Sequence, residues 1–213
     1  MARAGRPPLA CVYCAVMTLL LAAVLVALDQ ISKAWVVRNL PIDGSEIPLV
    51  LGFGITHTRN GGAAFGMLRN LEVHIGTFVL DGTLLLGLLS AAVSLGLIVF
   101  VVREGARLSV FTRVALGLVL AGAAGNMIDR LRLRYVIDFV HFQVGRFDFP
   151  VFNVADASIV IGAILLVLGS LLADGATARA ARKTYGPAPR GHVLDDVPEL
   201  PPLGGRPPSD PGA

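Results

Sequence analysis

Residues 125–156 have the sequence GNMIDRLRLRYVIDFVHFQVGRFDFPVFNVAD, and they separate two strongly apolar segments of the chain. Two aspartates in this stretch, Asp138 and Asp156, each lie within a dense cluster of polar residues. Ionisable side chains beside a membrane are costly, so several kept together indicate a functional site. Two carboxylates that share one proton can supply the acid and the base of an aspartic hydrolase. Asp138 and Asp156 are therefore candidate catalytic residues.

The composition around this stretch is that of a membrane protein. Of 213 residues, 54% are hydrophobic and 15% are charged, and the mean hydropathy is +0.72. Four uncharged runs are present, at residues 9–28, 82–102, 114–128 and 157–173. The first two have the roughly 20 residues that a helix needs to cross a bilayer, and the other two can extend back to Leu108 and Asn153. We predict an all-α membrane protein with four transmembrane helices and both termini on one side.

The first apolar run has a second interpretation, because Arg3 and Arg6 before it resemble the start of a cleaved signal peptide. The run is longer than the roughly 7–15 apolar residues of a typical signal peptide, and no cleavage site follows it. We therefore expect a retained helix. Cys11 and Cys14 within it are expected to be small buried apolar residues, because a reactive thiolate needs a polar, accessible setting.

The distribution of basic residues predicts the orientation. Arg103, Arg107 and Arg113 all fall in the short loop between the second and third runs, and such loops are typically cytoplasmic. This places residues 34–77 and 129–152 outside the cytoplasm. Residues 1–173 form the predicted membrane domain, with a small extracytoplasmic β-rich cradle or flap at about residues 34–77. Residues 174–213 are rich in proline and glycine and are predicted to be a disordered cytoplasmic tail.

Four polar clusters converge on the extracytoplasmic face in this topology. Each lies next to the outer end of a different predicted helix, and a single composite site would require such an arrangement. Besides the two candidate catalytic residues, their members include Asp29, Lys33, Asn60, Asn126, Asp129, Arg130 and Asn153.

Structural interpretations compete with a functional one for each cluster. Asp29 and Lys33 are four residues apart, so they form either a surface ion pair or a brace within the bundle. Asn153 and Asp156 also fit the start of a helix, where Asn153 caps and Asp156 favours the positive helix end.

Asn126, Asp129 and Arg130 share one helical face, which favours an internal network over simple anchoring of Arg130 at the headgroups. The histidines show no metal-ligand spacing, so we predict no metal site. They are His57, His74, His141 and His192. The sequence pI of 9.2 reflects the basic flanks and does not indicate nucleic-acid binding.

Five motifs follow one another along the chain in a fixed order. They are Asp29-Gln30-x-x-Lys33, Asn60-x-Gly62-Ala63-Ala64-Phe65, Gly125-Asn126-x-x-Asp129-Arg130, Val136-x-Asp138-Phe139 and Phe149-Pro150-x-Phe152-Asn153-x-Ala155-Asp156. These motifs and their order resemble the bacterial lipoprotein signal peptidase (signal peptidase II) family. The resemblance covers residues from about 10 to 173. One departure is Arg134, at a position that is often glycine in the family.

The resemblance implies that Asp138 and Asp156 are the catalytic dyad of a membrane aspartic endopeptidase. Its substrates would be diacylglyceryl-modified prolipoproteins, cleaved before the lipidated cysteine at the outer face of the bacterial cytoplasmic membrane. It implies a surface flap that includes Asn60, Gly62 and Ala64. It also implies that four polar residues orient the dyad and the substrate, namely Asn126, Asp129, Arg130 and Asn153. The expected partners are lipid-modified prolipoproteins and the phospholipid bilayer, with no nucleic acid, no cofactor and a monomeric chain.

The alternative functions are a proton-coupled transporter or channel, and a non-catalytic lipid-binding scaffold. Boundary aspartates beside an arginine also occur in proton relays. Transporters, however, tend to place ionisable groups near the membrane midplane, between internal repeats. This chain has its ionisable groups at one face and has no detectable repeat, which favours the peptidase.

Overall fold

The computed structural model of the chain describes residues 9–42, 46–62, 71–75 and 78–185. By its internal contacts the chain divides into two compact units, Met1–Leu172 and Ala173–Ala213. Four long helices and two antiparallel sheets make up the described residues of the first unit, and the end of the last helix belongs to the second.

The helices are α1 (Leu9–Asn39), α2 (Gly82–Glu104), α3 (Val110–Leu133) and α4 (Val154–Tyr185). A short 3₁₀ turn, Gly105–Arg107, joins α2 to α3. The apolar spans in the four helices are 19 to 28 residues long, and about 20 residues cross the hydrocarbon layer. The predicted set of four membrane-spanning helices is confirmed.

All four helices extend beyond the predicted runs, and α1 and α4 do so by the most residues. The predicted first run ends at Leu28, just before the charged residue Asp29, whereas α1 continues to Asn39. Charge does not end the helix because Asp29 and Lys33 neutralise each other inside it. Residues 174–185, predicted to be disordered, are the last turns of α4, and their alanine-rich sequence has high helix propensity. Residues 186–213 lie outside the described residues, so the predicted disorder there stays a prediction.

Six strands lie on the side of the bundle where α1 ends and α4 begins. They are β1 (Ile47–Pro48), β2 (Phe53–Asn60), β3 (Glu72–Ile75), β4 (Phe78–Asp81), β5 (Val136–Val144) and β6 (Phe147–Phe152). One sheet has the order β1-β2-β5-β6, with all neighbours antiparallel. The other is the β3-β4 hairpin, which leads directly into α2.

The predicted β-rich segment at residues 34–77 accounts for only half of the larger sheet. The other half, β5 and β6, comes from residues 136–152, for which no strand is predicted from the sequence. A two-residue turn at Gly145-Arg146 between runs of aromatic and β-branched residues is the signal that was overlooked. Gly145 has φ +60°, which a glycine adopts readily.

Helix α3 is the centre of the bundle. Half of its apolar span is buried, compared with 17–22% for the other three helices. It contacts α1, α2 and α4. At Gly125 of α3, an added Cβ atom would lie 2.8 Å from Asp29 Oδ2 of α1 and 3.0 Å from Ala155 Cβ of α4. Glycine at this position therefore lets three helices meet beside the polar clusters.

Candidate active site

Asp138 lies on β5, opposite Thr58 of β2, and is only 2% exposed. Its two carboxylate oxygens accept hydrogen bonds from two different amides. Asn153 Nδ2 donates to Oδ1 at 2.7 Å, and Asn60 Nδ2 donates to Oδ2 at 3.1 Å. Asp138 is therefore held on both sides by amides, with no cation of the described ranges in direct contact.

Asp156 lies in the first turn of α4, where Asn153 is the N-cap. The Asp156 backbone N–H donates to Asn153 Oδ1 at 2.8 Å, and the Asn153 backbone N–H donates to Asp156 Oδ2 at 3.2 Å. The predicted helix start is confirmed, in the reciprocal form of a capping box. Asn126 Nδ2 of α3 donates to the remaining oxygen, Asp156 Oδ1, at 2.7 Å.

Asn153 is the residue that joins the two aspartates. Its side-chain oxygen caps the helix that carries Asp156, while its side-chain nitrogen contacts Asp138. The same nitrogen also lies 3.2 Å from Asn126 Oδ1 and 3.3 Å from the Ile137 carbonyl. The side chain is fully buried. Asn153 therefore caps α4 and contributes to the site at the same time.

The environment of Asp138 favours retention of a proton. Burial, and then the nearby negative charge of Asp156, raise the pKa of Asp138 to about 7. The hydrogen bonds from Asn60 and Asn153 act in the opposite direction, because amide donors stabilise the ionised carboxylate. Two neighbouring carboxylates in such a setting can share one proton.

A buried ionic network supports both aspartates from α1 and α3. Lys33 Nζ lies 2.8 Å from Asp29 Oδ2, 2.9 Å from Asp129 Oδ2 and 3.2 Å from Asn126 Oδ1. Lys33 and Asp29 are each 1% exposed and Asp129 is 3% exposed. Of the two predicted roles for Asp29 and Lys33, the brace within the bundle is confirmed and the surface ion pair is wrong.

The two carboxylates of this network each hold the backbone next to a candidate catalytic residue. Asp129 Oδ2 accepts from the Ile137 N–H at 3.2 Å, and Ile137 precedes Asp138. Asp29 Oδ1 accepts from the Ala155 N–H at 2.9 Å, and Ala155 precedes Asp156. Lys33 binds both carboxylates, so this one buried lysine helps to fix the backbone next to Asp138 and next to Asp156.

Asn60 ends β2 and reaches Asp138, as described above. The Gly62 backbone N–H donates to Asn60 Oδ1 at 3.0 Å, which fixes the orientation of the amide. Gly62 is therefore in contact with the site through Asn60. Ala64, the third predicted flap residue, lies outside the described residues.

Arg130 lies beside both aspartates and lines the same cavity. Its Nε atom is buried and has no hydrogen-bond partner among the described residues. By contrast, Arg132, two residues further along α3, is exposed. The two arginines therefore lie on different faces of α3.

The cavity has a volume of about 530 Å³, and all but four of its lining residues are apolar. β6 supplies one wall and the first turns of α4 supply another. The lining residues are Asn60, Arg130, Val136, Asp138, Phe149, Pro150, Val151, Phe152, Asp156, Ala157, Ile159, Val160 and Ile161. An apolar cavity with a few converging polar groups is the usual form of a ligand site.

Three contributions to the site were not predicted from the sequence. Gln30, although part of a quoted motif, donates to Asp129 Oδ1 at 3.0 Å and to the Gly125 carbonyl at 3.3 Å. Thr83 donates to the Gly61 carbonyl at 2.7 Å. The aromatic wall of β6 was not assigned because its strand was not recognised. The position of Gln30 next to Asp29 in a polar cluster was the only available signal.

The backbone conformation at Arg134 explains why glycine suits this position. It ends α3 with φ 64° and ψ 18°, a left-handed conformation that glycine adopts at low cost. Its side chain lies 3.6 Å from Asp81 at the start of α2. An arginine at this position therefore adds backbone strain at the end of α3.

No group of three or more histidine, cysteine, aspartate or glutamate side chains among the described residues is arranged to hold a metal ion. The buried carboxylates in these ranges are instead engaged by amides, by Lys33 and by backbone N–H groups.

Comparisons with known proteins agree on one family. A family model described as "Signal peptidase (SPase) II" matches residues 21–172. The lipoprotein signal peptidase of Geobacillus thermodenitrificans (strain NG80-2) is 41% identical over 157 residues, which cover 72% of this chain and 89% of that protein.

Two solved structures of bacterial membrane enzymes, determined by the in meso method, have the same fold. The 2.3 Å structure has a TM-score of 0.63 and 30% identity, and the match covers 76% of this chain and 90% of the other. The 1.9 Å structure has a TM-score of 0.59 and 30% identity, with coverage of 73% and 92%.

Proposed function

Because this chain belongs to the signal peptidase II family, we propose that Asp138 and Asp156 are the catalytic dyad of an aspartic endopeptidase. Family membership itself makes the chain an integral membrane protease that removes signal peptides from lipoproteins. The proposal concerns the residues that perform the reaction, the form of the substrate and the side of the membrane on which cleavage occurs.

The observation that carries the proposal is the shared environment of the two aspartates. Both line one cavity, and the single side chain of Asn153 contacts Asp138 while capping the helix turn that holds Asp156. No cation lies within 4.0 Å of either carboxylate among the described residues. The pair can therefore hold one proton, as acid–base chemistry with two carboxylates requires.

The reaction needs no chemistry beyond these two groups and water. The ionised carboxylate takes a proton from water, and the water oxygen attacks the scissile carbonyl carbon. The protonated carboxyl group donates its proton to the carbonyl oxygen, and the product is a tetrahedral diol. The carboxylate formed in this step then takes a proton from one hydroxyl of the diol as the C=O bond re-forms. The C–N bond breaks, and the other carboxyl group gives its proton to the leaving amine.

We propose that the substrate is a prolipoprotein already modified with diacylglycerol and that cleavage precedes the lipidated cysteine. The apolar walls formed by Phe149, Phe152 and Val160 are suited to acyl chains, and Arg130 is suited to a peptide carbonyl or ester oxygen. Both aspartates and the whole cavity come from one chain, which supports a monomeric enzyme.

The proposed location is the bacterial cytoplasmic membrane, with the site on the extracytoplasmic side. Arg103 near the end of α2, Arg107 in the 3₁₀ turn and Arg113 in the first turn of α3 make the connection between these helices basic. This connection lies at the end of the bundle opposite the larger sheet. Positive loops favour the cytoplasm, so the site is expected outside, where exported precursors are lipidated.

Cleavage of a diacylglyceryl-modified prolipoprotein by purified full-length protein tests the proposal. Asp138→Asn and Asp156→Asn should each lower the rate by several orders of magnitude, because an amide has similar size but cannot exchange the proton. Asp148→Asn, in the same sheet but outside the cavity, is the matched control and should retain activity. Near-normal cleavage by either dyad variant would remove that residue from the catalytic pair.

A further inference from the structure

The first turn of α2 contacts both ends of the segment that separates β2 from β3. Thr83 Oγ1 donates to the Gly61 carbonyl at 2.7 Å, on the β2 side. The Gly82 backbone N–H donates to the Leu71 carbonyl at 2.8 Å, on the β3 side. Two adjacent residues of one helix therefore contact the chain where it leaves the larger sheet after β2 and where it enters the β3-β4 hairpin.

This contact lies at one end of a short series of hydrogen bonds that ends at Asp138. Thr83 holds Gly61, and the next N–H, that of Gly62, donates to Asn60 Oδ1 at 3.0 Å. Asn60 then donates from Nδ2 to Asp138 Oδ2 at 3.1 Å. The Asn60 amide is oriented correctly only while its oxygen is engaged by Gly62, because rotation of the amide would present oxygen to the carboxylate.

Burial indicates that this hydroxyl has a specific role. Thr83 is 7% exposed, and a buried hydroxyl needs a hydrogen-bond acceptor to offset its desolvation. Thr83 is the second residue of α2, so its own helix has no preceding turn whose carbonyl this hydroxyl could use. The Thr83 hydroxyl donates to the carbonyl of Gly61, 22 residues earlier in the chain.

We propose that Thr83 is a positioning residue, which holds Gly61 and Gly62 so that the Asn60 amide stays on Asp138. The inference rests on the proposed function, in which Asp138 is catalytic. Thr83 has no contact with the cavity and takes no part in the chemistry. Its effect passes through Asn60 to the protonation equilibrium of the dyad.

Loss of the Thr83 hydroxyl should change the pH dependence of the reaction as well as its rate. The hydrogen bond from Asn60 lowers the pKa of Asp138 relative to burial alone. When Asn60 is no longer held, that opposing effect weakens, so the pKa of Asp138 rises. The pH–rate profile of cleavage should therefore move to higher pH.

The test compares purified full-length variants on a diacylglyceryl-modified prolipoprotein across a range of pH. Thr83→Val, which replaces the hydroxyl with a methyl group, should reduce kcat/KM by about ten-fold, the worth of roughly one hydrogen bond. Its profile should shift to higher pH. Thr83→Ser, which keeps the hydroxyl, should restore both the rate and the profile. Ser94→Ala is the control, because Ser94 is a buried serine of the same helix whose Oγ has no hydrogen-bond partner among the described residues.

Hydrogen exchange gives a second measurement that does not depend on activity. The Gly62 amide should exchange faster in Thr83→Val than in the wild type or Thr83→Ser, and Thr83→Ala should behave like Thr83→Val. An unshifted pH profile for Thr83→Val, an equal loss in Thr83→Ser, or unchanged exchange at Gly62 would each overturn the inference. Asp138→Asn distinguishes failure of the two proposals. Activity in that variant would contradict the proposed dyad, whatever the Thr83 variants show.

Discussion

Asn153 Nδ2 donates a 2.7 Å hydrogen bond to Asp138 Oδ1, and these two residues come from different elements, the N-cap of α4 and the first part of β5. The contact ties the sheet to the helix at the point where the two catalytic carboxylates are proposed to act. Because Asn153 also caps α4, the same residue stabilises the fold and adjusts the charge of the site.

Asn153→Ser should separate these two roles. Serine is a good N-cap, so the thermal stability should stay close to that of the wild type, but the amide donor to Asp138 is lost. Since that donor lowers the pKa of Asp138, the pH–rate profile should shift to higher pH and the rate at neutral pH should fall. Thermal unfolding and pH-dependent cleavage measure the two effects. Asn153→Ala should also lose about 1 kcal/mol of stability. A wild-type profile for Asn153→Ser would show that the amide does not influence the dyad.

Arg130→Ala should reduce cleavage by ten-fold or more, about the effect of one lost hydrogen bond to a charged group. The reason is that Arg130 lines the cavity with both aspartates, whereas Arg132 is exposed. Arg132→Ala is the matched control and should cleave at nearly the normal rate. Equal losses in the two variants would indicate that these arginines only anchor the helix end at the headgroups.

The stability of the sheet should depend on the protonation of His141. Its Nε2 lies 2.8 Å from Asp148 Oδ1 and its Nδ1 lies 2.9 Å from Glu46 Oε2. These hydrogen bonds, first that of Asp148 and then that of Glu46, raise the pKa of His141. A raised pKa means that the stabilisation is fully present below the unfolded value of about 6.5 and is lost as pH rises through the folded value.

The midpoint of thermal unfolding in detergent should therefore fall as pH rises from about 6.5 through the raised pKa of His141. His141→Gln should flatten that dependence, because glutamine does not titrate. His74→Gln is the control, since His74 is 66% exposed and its nearest carboxylate oxygen, on Glu72, is 4.0 Å away. A pH dependence in His141→Gln equal to that of the wild type would assign the effect to other groups.

Arg134→Gly should stabilise the protein by up to about 1 kcal/mol. The left-handed conformation at φ 64° costs a non-glycine residue roughly that amount, and the 3.6 Å contact with Asp81 is a surface pair that contributes little. Thermal unfolding measures the change. Arg132→Gly is the opposite control, because glycine inside the last turn of α3 should destabilise by about 1 kcal/mol. A lower midpoint for Arg134→Gly would mean that the ion pair outweighs the strain.

Cysteine labelling in intact cells should establish the orientation. Val50 is 78% exposed at the turn between β1 and β2, and the Arg107 side chain is 82% exposed between α2 and α3. In a background without Cys11 and Cys14, Val50→Cys should react with a membrane-impermeant maleimide. Arg107→Cys should react only after lysis. The reverse pattern would place the dyad in the cytoplasm and contradict the proposed location.

The sequence alone determined the features that depend on local composition. Long apolar runs predict membrane helices because each residue contributes its own transfer free energy, so the four spans could be counted without knowing their packing. Polar clusters at the helix ends likewise indicated Asp138, Asp156 and their neighbours. The order of these clusters along the chain was enough to place them together on one face.

Only the tertiary structure decided which of these groups contact each other. Whether Asp29 and Lys33 faced lipid or the bundle interior depended on α3, and the contact of Asp29 with Ala155 joins residues 126 positions apart. The inclusion of β5 in a sheet depended on pairing with β2, more than 70 residues earlier. Hydrogen bonds act over about 3 Å and require a particular direction, so they are set by how distant segments pack and not by the residues adjacent in sequence.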